Sequence, residues 1–256
     1  MKFIILGCGS SLGVPRAGGF FGKCNSKNKK NYRTRCSALI KTKNETIIID
    51  TSPDLRHQLL KNKIKNIDKV FYSHLHADQT HGINDLRVFY IKNKKTIPVY
   101  ADKPTKKYLV NNFEYCFVGH NKEYPPILKL NSLSKKLFIK NGNKRLIIKP
   151  IKVKHGRINS VCYIIDRKLA YISDVSSIKK KDYKNFIKLS YLIIDCLRLK
   201  NHPSHLNLAG CLNLIKEFKP KKTILTNLHS DLDYDFLRKK LPSNIIPAYD
   251  GLTIKL

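Results

Sequence analysis

The chain has 256 residues, 42% of them hydrophobic, and carries 50 Lys and Arg against 18 Asp and Glu, a formal charge of +32 at neutral pH. At this length such a content of Ile, Leu, Val, Phe and Tyr can bury roughly three quarters of the unfolded surface, which excludes disorder and removes any need for disulfide staples. Seven cysteines without one C-x-x-C pair exclude a disulfide framework and a zinc ribbon, and fit a reducing cytoplasm.

The opening Met1 to Cys8 has an apolar stretch of only about four residues, short of the roughly 7 to 15 of a signal-peptide core, so Phe3 to Leu6 reads as a first strand. The glycine loop Gly7 to Pro15 lacks the G-x-G-x-x-G spacing that opens into a helix, because Pro15 and Gly18-Gly19 would break any helix there. A basic, polar loop runs from Arg16 to Arg35. Strands follow at Cys36 to Thr42 and Thr46 to Asp50, and Ser52-Pro53-Asp54 caps a helix through Leu60. The strand Val70 to Tyr72 runs directly into His74. Beyond a mixed segment lie a strand at Ile97 to Tyr100 and a helix from Pro104 to Tyr115.

In the second half a hairpin turns at Asn141-Gly142. Strands at Leu146 to Val153, Val161 to Ile165, Leu169 to Ile172, Tyr191 to Ile194 and Thr223 to Leu225 are accompanied by helices at Lys180 to Lys188, Leu206 to Phe218 and Tyr234 to Lys240. Strand pairs in each half, with helices between and no linker, predict one α/β domain over residues 1–256, with two sheets packed together and helices outside. No apolar run approaches the roughly 18 to 20 residues of a membrane span, so a soluble, cytoplasmic protein is expected. Forty of the 50 basic residues are lysines scattered along the chain. They read as solvated faces rather than a nucleic-acid footprint, although their field draws anions at low salt.

The chemically informative stretch is Ser73-His74-Leu75-His76-Ala77-Asp78-Gln79-Thr80-His81-Gly82, set where a buried strand ends. Two His at i and i+2 of an extended segment point the same way, so both imidazoles can reach one cation while Asp78 orients a water or holds a second ion. The plain alternative is a polar loop whose histidines are satisfied by hydrogen bonds. His155, Asp174, His205 and His229 each follow a strand-like segment, which would deliver them to a common rim.

With these residues in place the sequence resembles the metallo-β-lactamase superfamily, with its H-x-H-x-D-H motif, later His, later Asp and final His. Within it the chain is most similar to the phosphoribosyl cyclic phosphodiesterases of the carbon–phosphorus lyase pathway, through Gly13-Val14-Pro15, Tyr32-Arg33, Cys36-Ser37, Ile172-Ser173-Asp174, His205 before Leu206-Asn207-Leu208, Ile224-Leu225-Thr226 and Leu241-Pro242. The resemblance implies a four-layer αββα sandwich and one or two divalent ions, zinc or manganese. It implies that His74, His76 and His155 hold one metal, that Asp174 bridges, that Asp78 belongs to a second metal and that His205 lies at the substrate phosphate.

Two ligands of the second metal are replaced: Gln79 stands for the last His of the motif and Asn227 for the His after Thr226. An i+2 helical step of about 200° turns His81 away, whereas His229 in a loop can bend back. Alternatively the two amides offer oxygens to Mn²⁺ or Mg²⁺, or one ion suffices. The expectation is one firm ion and a weaker second involving His229. With only Cys24 and Cys36 left, no structural zinc knuckle is expected in the first loop.

The implied activity is hydrolysis of a small phosphodiester, cyclic ones included, by water that the cation activates, oriented by Asp78 or Asp174, with His205 protonating the leaving alkoxide. Arg33, Arg35 and Arg198 are candidate phosphate clamps. A ribonuclease Z-like tRNA endonuclease is the first rival, but only 18 residues separate His155 from Asp174, too few for the arm such enzymes carry there. A thioester or lactam hydrolase of the same fold and a non-catalytic binding module are the others. The expected partner is the anionic substrate, with nucleic acid not favoured, no membrane, and a homodimer left open.

Overall fold

A computed structural model describes residues 1–119, 121 and 123–256. Among them, two seven-stranded mixed sheets face each other. The first comprises β1 (Lys2–Gly7), β2 (Ser37–Lys41), β3 (Thr46–Ile49), β4 (Lys69–Phe71), β5 (Ile97–Ala101) and β6 (Leu128–Ser132). The second comprises β7 (Leu137–Asn141), β8 (Lys144–His155), β9 (Ile158–Ile165), β10 (Leu169–Ile172), β11 (Tyr191–Asp195), β12 (Lys222–Thr226) and β13 (Ile245–Pro247). The chain then returns as β14 (Thr253–Lys255) to pair antiparallel with β1. The sheet orders are β14-β1-β2-β3-β4-β5-β6 and β13-β12-β11-β10-β9-β8-β7. Each sheet is antiparallel over one half and parallel over the other, the parallel parts being β3 to β6 and β10 to β13.

The strands read as near-continuous apolar runs because both faces are covered. Side chains alternate across a strand, so Phe3 and Ile5 of β1 enter the core between the sheets while Ile4 and Leu6 pack toward outer helices. On β10, Leu169 and Tyr171 face inward and Ala170 and Ile172 outward. Phe71 stacks on Tyr163 across the sandwich, ring centroids 5.4 Å apart, and Tyr163 Oη donates to Tyr72 O at 2.7 Å.

The first sheet is covered by α1 (Leu55–Lys61), α3 (Arg87–Asn93) and α4 (Lys103–Asn112), with the single turns α2 (Ala77–Thr80) and α5 (Glu114–Phe117). On the second sheet lie α6 (Leu208–Phe218) and α7 (Tyr234–Lys240). Helix α6 buries Leu208, Cys211, Ile215 and Phe218, one face at helical spacing. It starts where the Asn207 side chain accepts from Gly210 N–H at 2.8 Å. The result is the expected four-layer αββα sandwich. No helix among the described residues is long and apolar enough to cross a membrane.

Several boundaries differ from expectation. The helix predicted at Lys180 to Lys188 is a short 3₁₀ segment, Lys180–Asn185, in which no residue is buried; the chain leaves it at Phe186, which enters the core. The helix predicted from Pro104 to Tyr115 breaks at Phe113, whose φ of −135° leaves the helical region. The mixed segment after the histidine motif folds into α2, a 3₁₀ turn and α3. Edge strands β6, β13 and β14 carried no distinct signal, whereas the Asn141-Gly142 turn does join β7 to β8.

Candidate metal centre

The parallel strands of both sheets end on one side of the sandwich, and the polar residues that come after them meet there. Asp50, just after β3, is buried in a left-handed conformation (φ 64°), and its Oδ1 accepts the Ser73 N–H at 2.7 Å. This pins the segment after β4, from which His74 and His76 project. The subsequent α2 turn lets Gly82 pass against Ser52, where a Cβ would meet the Ser52 carbonyl oxygen at 2.0 Å. His155 closes β8, Asp174 follows β10, Asp195 closes β11 and Asn227 follows β12.

Three imidazoles from separate parts of the chain converge. His74 Nε2 lies 3.0 Å and His155 Nε2 3.3 Å from His76 Nδ1. His155 Nδ1 is 2.7 Å from Ser204 O. A carbonyl only accepts, so Nδ1 carries the hydrogen and Nε2 turns a bare lone pair inward, the orientation a metal-binding imidazole needs. Burial lowers the pKa of all three rings, that of His74 to about 3, so they are neutral donors. At least one of the three converging nitrogens, His155 Nε2, turns a lone pair inward. A divalent cation suits them, and the donor set fits one.

Asp174 adjoins this triad. Burial opposes its charge, but His74, His205 and His155 outweigh that and hold the carboxyl below its usual range. His155, Asp174 and His205 form a second convergent set, with ligand atoms within 4.8 Å of one another. His205 Nδ1 is 2.8 Å from Asp195 Oδ2 and 3.9 Å from Asp174 Oδ1. Burial alone would lower the His205 pKa, yet the Asp195 carboxylate lifts it to about 9. Asp195 itself, fully buried, is pushed up to about 7.

A cavity of about 340 Å³ opens over these groups, with Ser10, Leu12, Asp78, Arg198, His205 and His229 among its walls. That volume suits a small ligand. Asp78, raised by burial and then by Asp174, lines the cavity without joining either convergent set.

A family model described as the β-lactamase superfamily domain matches residues 45–227. The chain belongs to the β-lactamase superfamily. The superfamily likeness extends to the crystal structure titled a new diphosphatase from the PhnP family, 29% identical, covering 100% of this chain and 97% of that one with a TM-score of 0.89. The Zn²⁺-bound PqqB of Methylobacterium extorquens gives 15% identity, full coverage of both chains and a TM-score of 0.77. Human tRNase Z, short form, gives 18%, coverage of 100% and 99%, and a TM-score of 0.71. A protein named octanoyltransferase from Porphyromonas gingivalis is 32% identical over 256 residues, 98% of this chain and 51% of that protein. The chain therefore spans about half the length of that curated relative. The fold is that of metallo-β-lactamase-type hydrolases, and His and Asp groups that could bind metal lie where it leaves its strand ends open.

Some residues depart from the superfamily motif. His81 is exposed, 3.0 Å from Tyr108 Oη, and points out of the site. His229 reaches the cavity wall, but Asp231 holds its Nδ1 at 2.8 Å and the Arg16 guanidinium meets its Nε2. Both ring nitrogens of His229, expected to bend back toward a second ion, thus face protein groups in this structure. Of the candidate clamps, Arg33 is buried against Asn31 Oδ1 and Arg35 pairs with Asp54, so only Arg198 lines the cavity. Asp195, paired with His205, and His202, in the cavity wall, were not singled out in the sequence. The signal for Asp195 was its place closing a buried strand, as Asp50 follows one.

Proposed function

We propose that this metallo-β-lactamase-fold hydrolase acts on a small anionic phosphodiester. The observation that carries the reading is the Asp195–His205 pair set beside the imidazole triad, ring centroids of His155 and His205 4.6 Å apart, at one cavity. With Nδ1 engaged by Asp195, His205 has Nε2 left to donate to a leaving oxygen.

His74, His76 and His155, with Asp174 alongside, would hold a divalent ion, zinc or manganese; when bound, it supplies Lewis-acid charge at the phosphoryl oxygens and makes water a stronger nucleophile at neutral pH. The residues do the rest. Water attacks phosphorus, forming one P–O bond as the ester P–O bond breaks. Its proton passes to Asp78, a carboxylate whose burial makes it a stronger base than usual. The departing alkoxide takes a proton from His205 Nε2, a contribution of about 10² to 10⁴ in rate. Asp195 positions that imidazole and keeps it charged. Arg198 offers a cation at the rim, and the net charge of +32 steers anions inward.

A tRNA substrate fits less well. Strands β9 and β10 occupy most of the stretch between His155 and Asp174, so no arm projects there to grip RNA. Turnover of bis-p-nitrophenyl phosphate with Mn²⁺ or Zn²⁺ tests the reading. Chelation should abolish it, and His76→Ala should match the chelated enzyme; hydrolysis surviving both overturns the proposal.

A further inference from the structure

The carboxylate side of the cavity bears on how many ions the chain holds. Gln79 Nε2 donates to Asp78 Oδ2 at 3.0 Å and to Asp174 Oδ2 at 3.3 Å. Asn227 Nδ2 donates to Asp174 Oδ1 at 3.3 Å and to Asp195 Oδ1 at 3.1 Å. Both amides are buried, and between them both oxygens of Asp174 are taken. These are the two positions at which the superfamily motif has histidine, and here they turn N–H groups toward the carboxylates.

We propose that this is a one-ion centre, in which the amides of Gln79 and Asn227 take the place of a second cation and bind Asp78, Asp174 and Asp195 together by hydrogen bonds. It rests on the metal-centre reading above and concerns how many ions that centre takes. A cation needs lone pairs, and the hydrogens of two NH₂ groups repel it. Turning Gln79 over would set its oxygen against carboxylate oxygens at about the same distance; Asn227 Nδ2 also lies 3.2 Å from His205 Nδ1, so turning it would exchange two carboxylate acceptors for that one ring N–H. For Gln79 the cost of not turning is visible: Oε1 is buried with no partner. An unmade hydrogen bond of this kind is costly, and the side chain bears it because both its donors face carboxylates. Asn227 sits at φ 60°, a left-handed conformation open to Asn and also to His, so the position does not itself forbid a ligand.

Native mass spectrometry and inductively coupled plasma analysis of the full chain in excess Zn²⁺, and separately Mn²⁺, test this. The wild type should carry one ion, and His74→Ala/His76→Ala none. The double variant Gln79→His/Asn227→His, checked for folding by circular dichroism, should carry two. Gln79→Glu, which exchanges the donor for lone pairs at constant size, should gain a second ion and a larger Mn²⁺-dependent rise in Tm than the wild type. Two ions on the wild type overturn the one-ion inference and leave the metal centre standing. No ion on the wild type overturns both. One ion on every folded variant overturns the assignment of the exclusion to the amides.

Discussion

On one side of the cavity, His74, His76 and His155 turn nitrogens on each other at 3.0 and 3.3 Å. On the other side stand Asp78, Asp174 and Asp195, and each accepts an N–H from Gln79 or Asn227. Buried polar groups must be satisfied, and the two sides meet that demand differently. The imidazole side is left for an ion from outside; the carboxylate side is closed by the chain itself. Charge agrees with this division. With all three carboxylates ionised, one divalent ion and the His205 imidazolium balance them, and a second divalent ion would leave the buried cluster positive.

The harshest way to break the comparison is to remove the imidazole side. His76→Ala should reduce phosphodiester turnover to that of the chelated enzyme. It should also erase the stabilisation the metal gives: an ion present at about a thousand times its Kd adds about 4 kcal/mol to a protein that binds it only when folded. Thermal melts with and without Zn²⁺ check this. If the variant still gains Tm on adding zinc, the ion sits with the carboxylates and the division is wrong.

His205 stands at the boundary, because its ring belongs to a convergent set with His155 and Asp174 as well as to the pair with Asp195. His205→Ala should lower kcat by about 10² to 10⁴, with the ion count unchanged. The loss should be larger for an alkyl leaving group than for p-nitrophenolate, which departs without a proton. Asp195→Asn should follow the same leaving-group trend with a smaller fall and little change in KM. A drop in ion count for His205→Ala would make it a ligand and move the boundary between the two sides.

The architecture and the imidazole side were largely legible along the chain, for reasons that the folded structure makes plain. Strands β1, β2, β3 and β10 are apolar on both faces because sheet and helices cover them, and a run such as Phe3 to Leu6 announces that. His74 and His76 are legible because alternation along an extended segment is a local rule. The carboxylate side is not local. Whether Gln79 offers nitrogen or oxygen depends on Asp174, 95 residues away, and His229 is claimed by Arg16, 213 residues away. The Lys180 to Lys188 segment misled because its composition suits a helix while no side chain in Lys180–Asn185 is buried. Three-residue edge strands such as β13, ending at Pro247, are too short for a periodic signal, and an edge is where proline is tolerated.

The mildest effect should come from outside the cavity, where Arg35 grips Asp54 with Nε and Nη2, both at 2.7 Å, and with its backbone N–H at 2.9 Å. Burial opposes the Asp54 charge, but the Arg35 hydrogen bonds outweigh it and hold the carboxyl below its ordinary value. The pair is partly exposed, so Asp54→Asn should cost about 1 kcal/mol, in the range of a screened, well-aligned ion pair. Because the folded-state pKa is depressed, this stability is present above the unfolded value of about 3.9 and is lost as pH falls through the folded one. Melting curves of wild type and variant should therefore differ at pH 7 and converge below about pH 4, with ion count and kcat the same in both at neutral pH. A variant that loses its ion would show that the Arg35–Asp54 clamp, which ties the end of the first loop to the start of α1, also sets the imidazole side; bracing of the scaffold and poise of the site would then be one property rather than two.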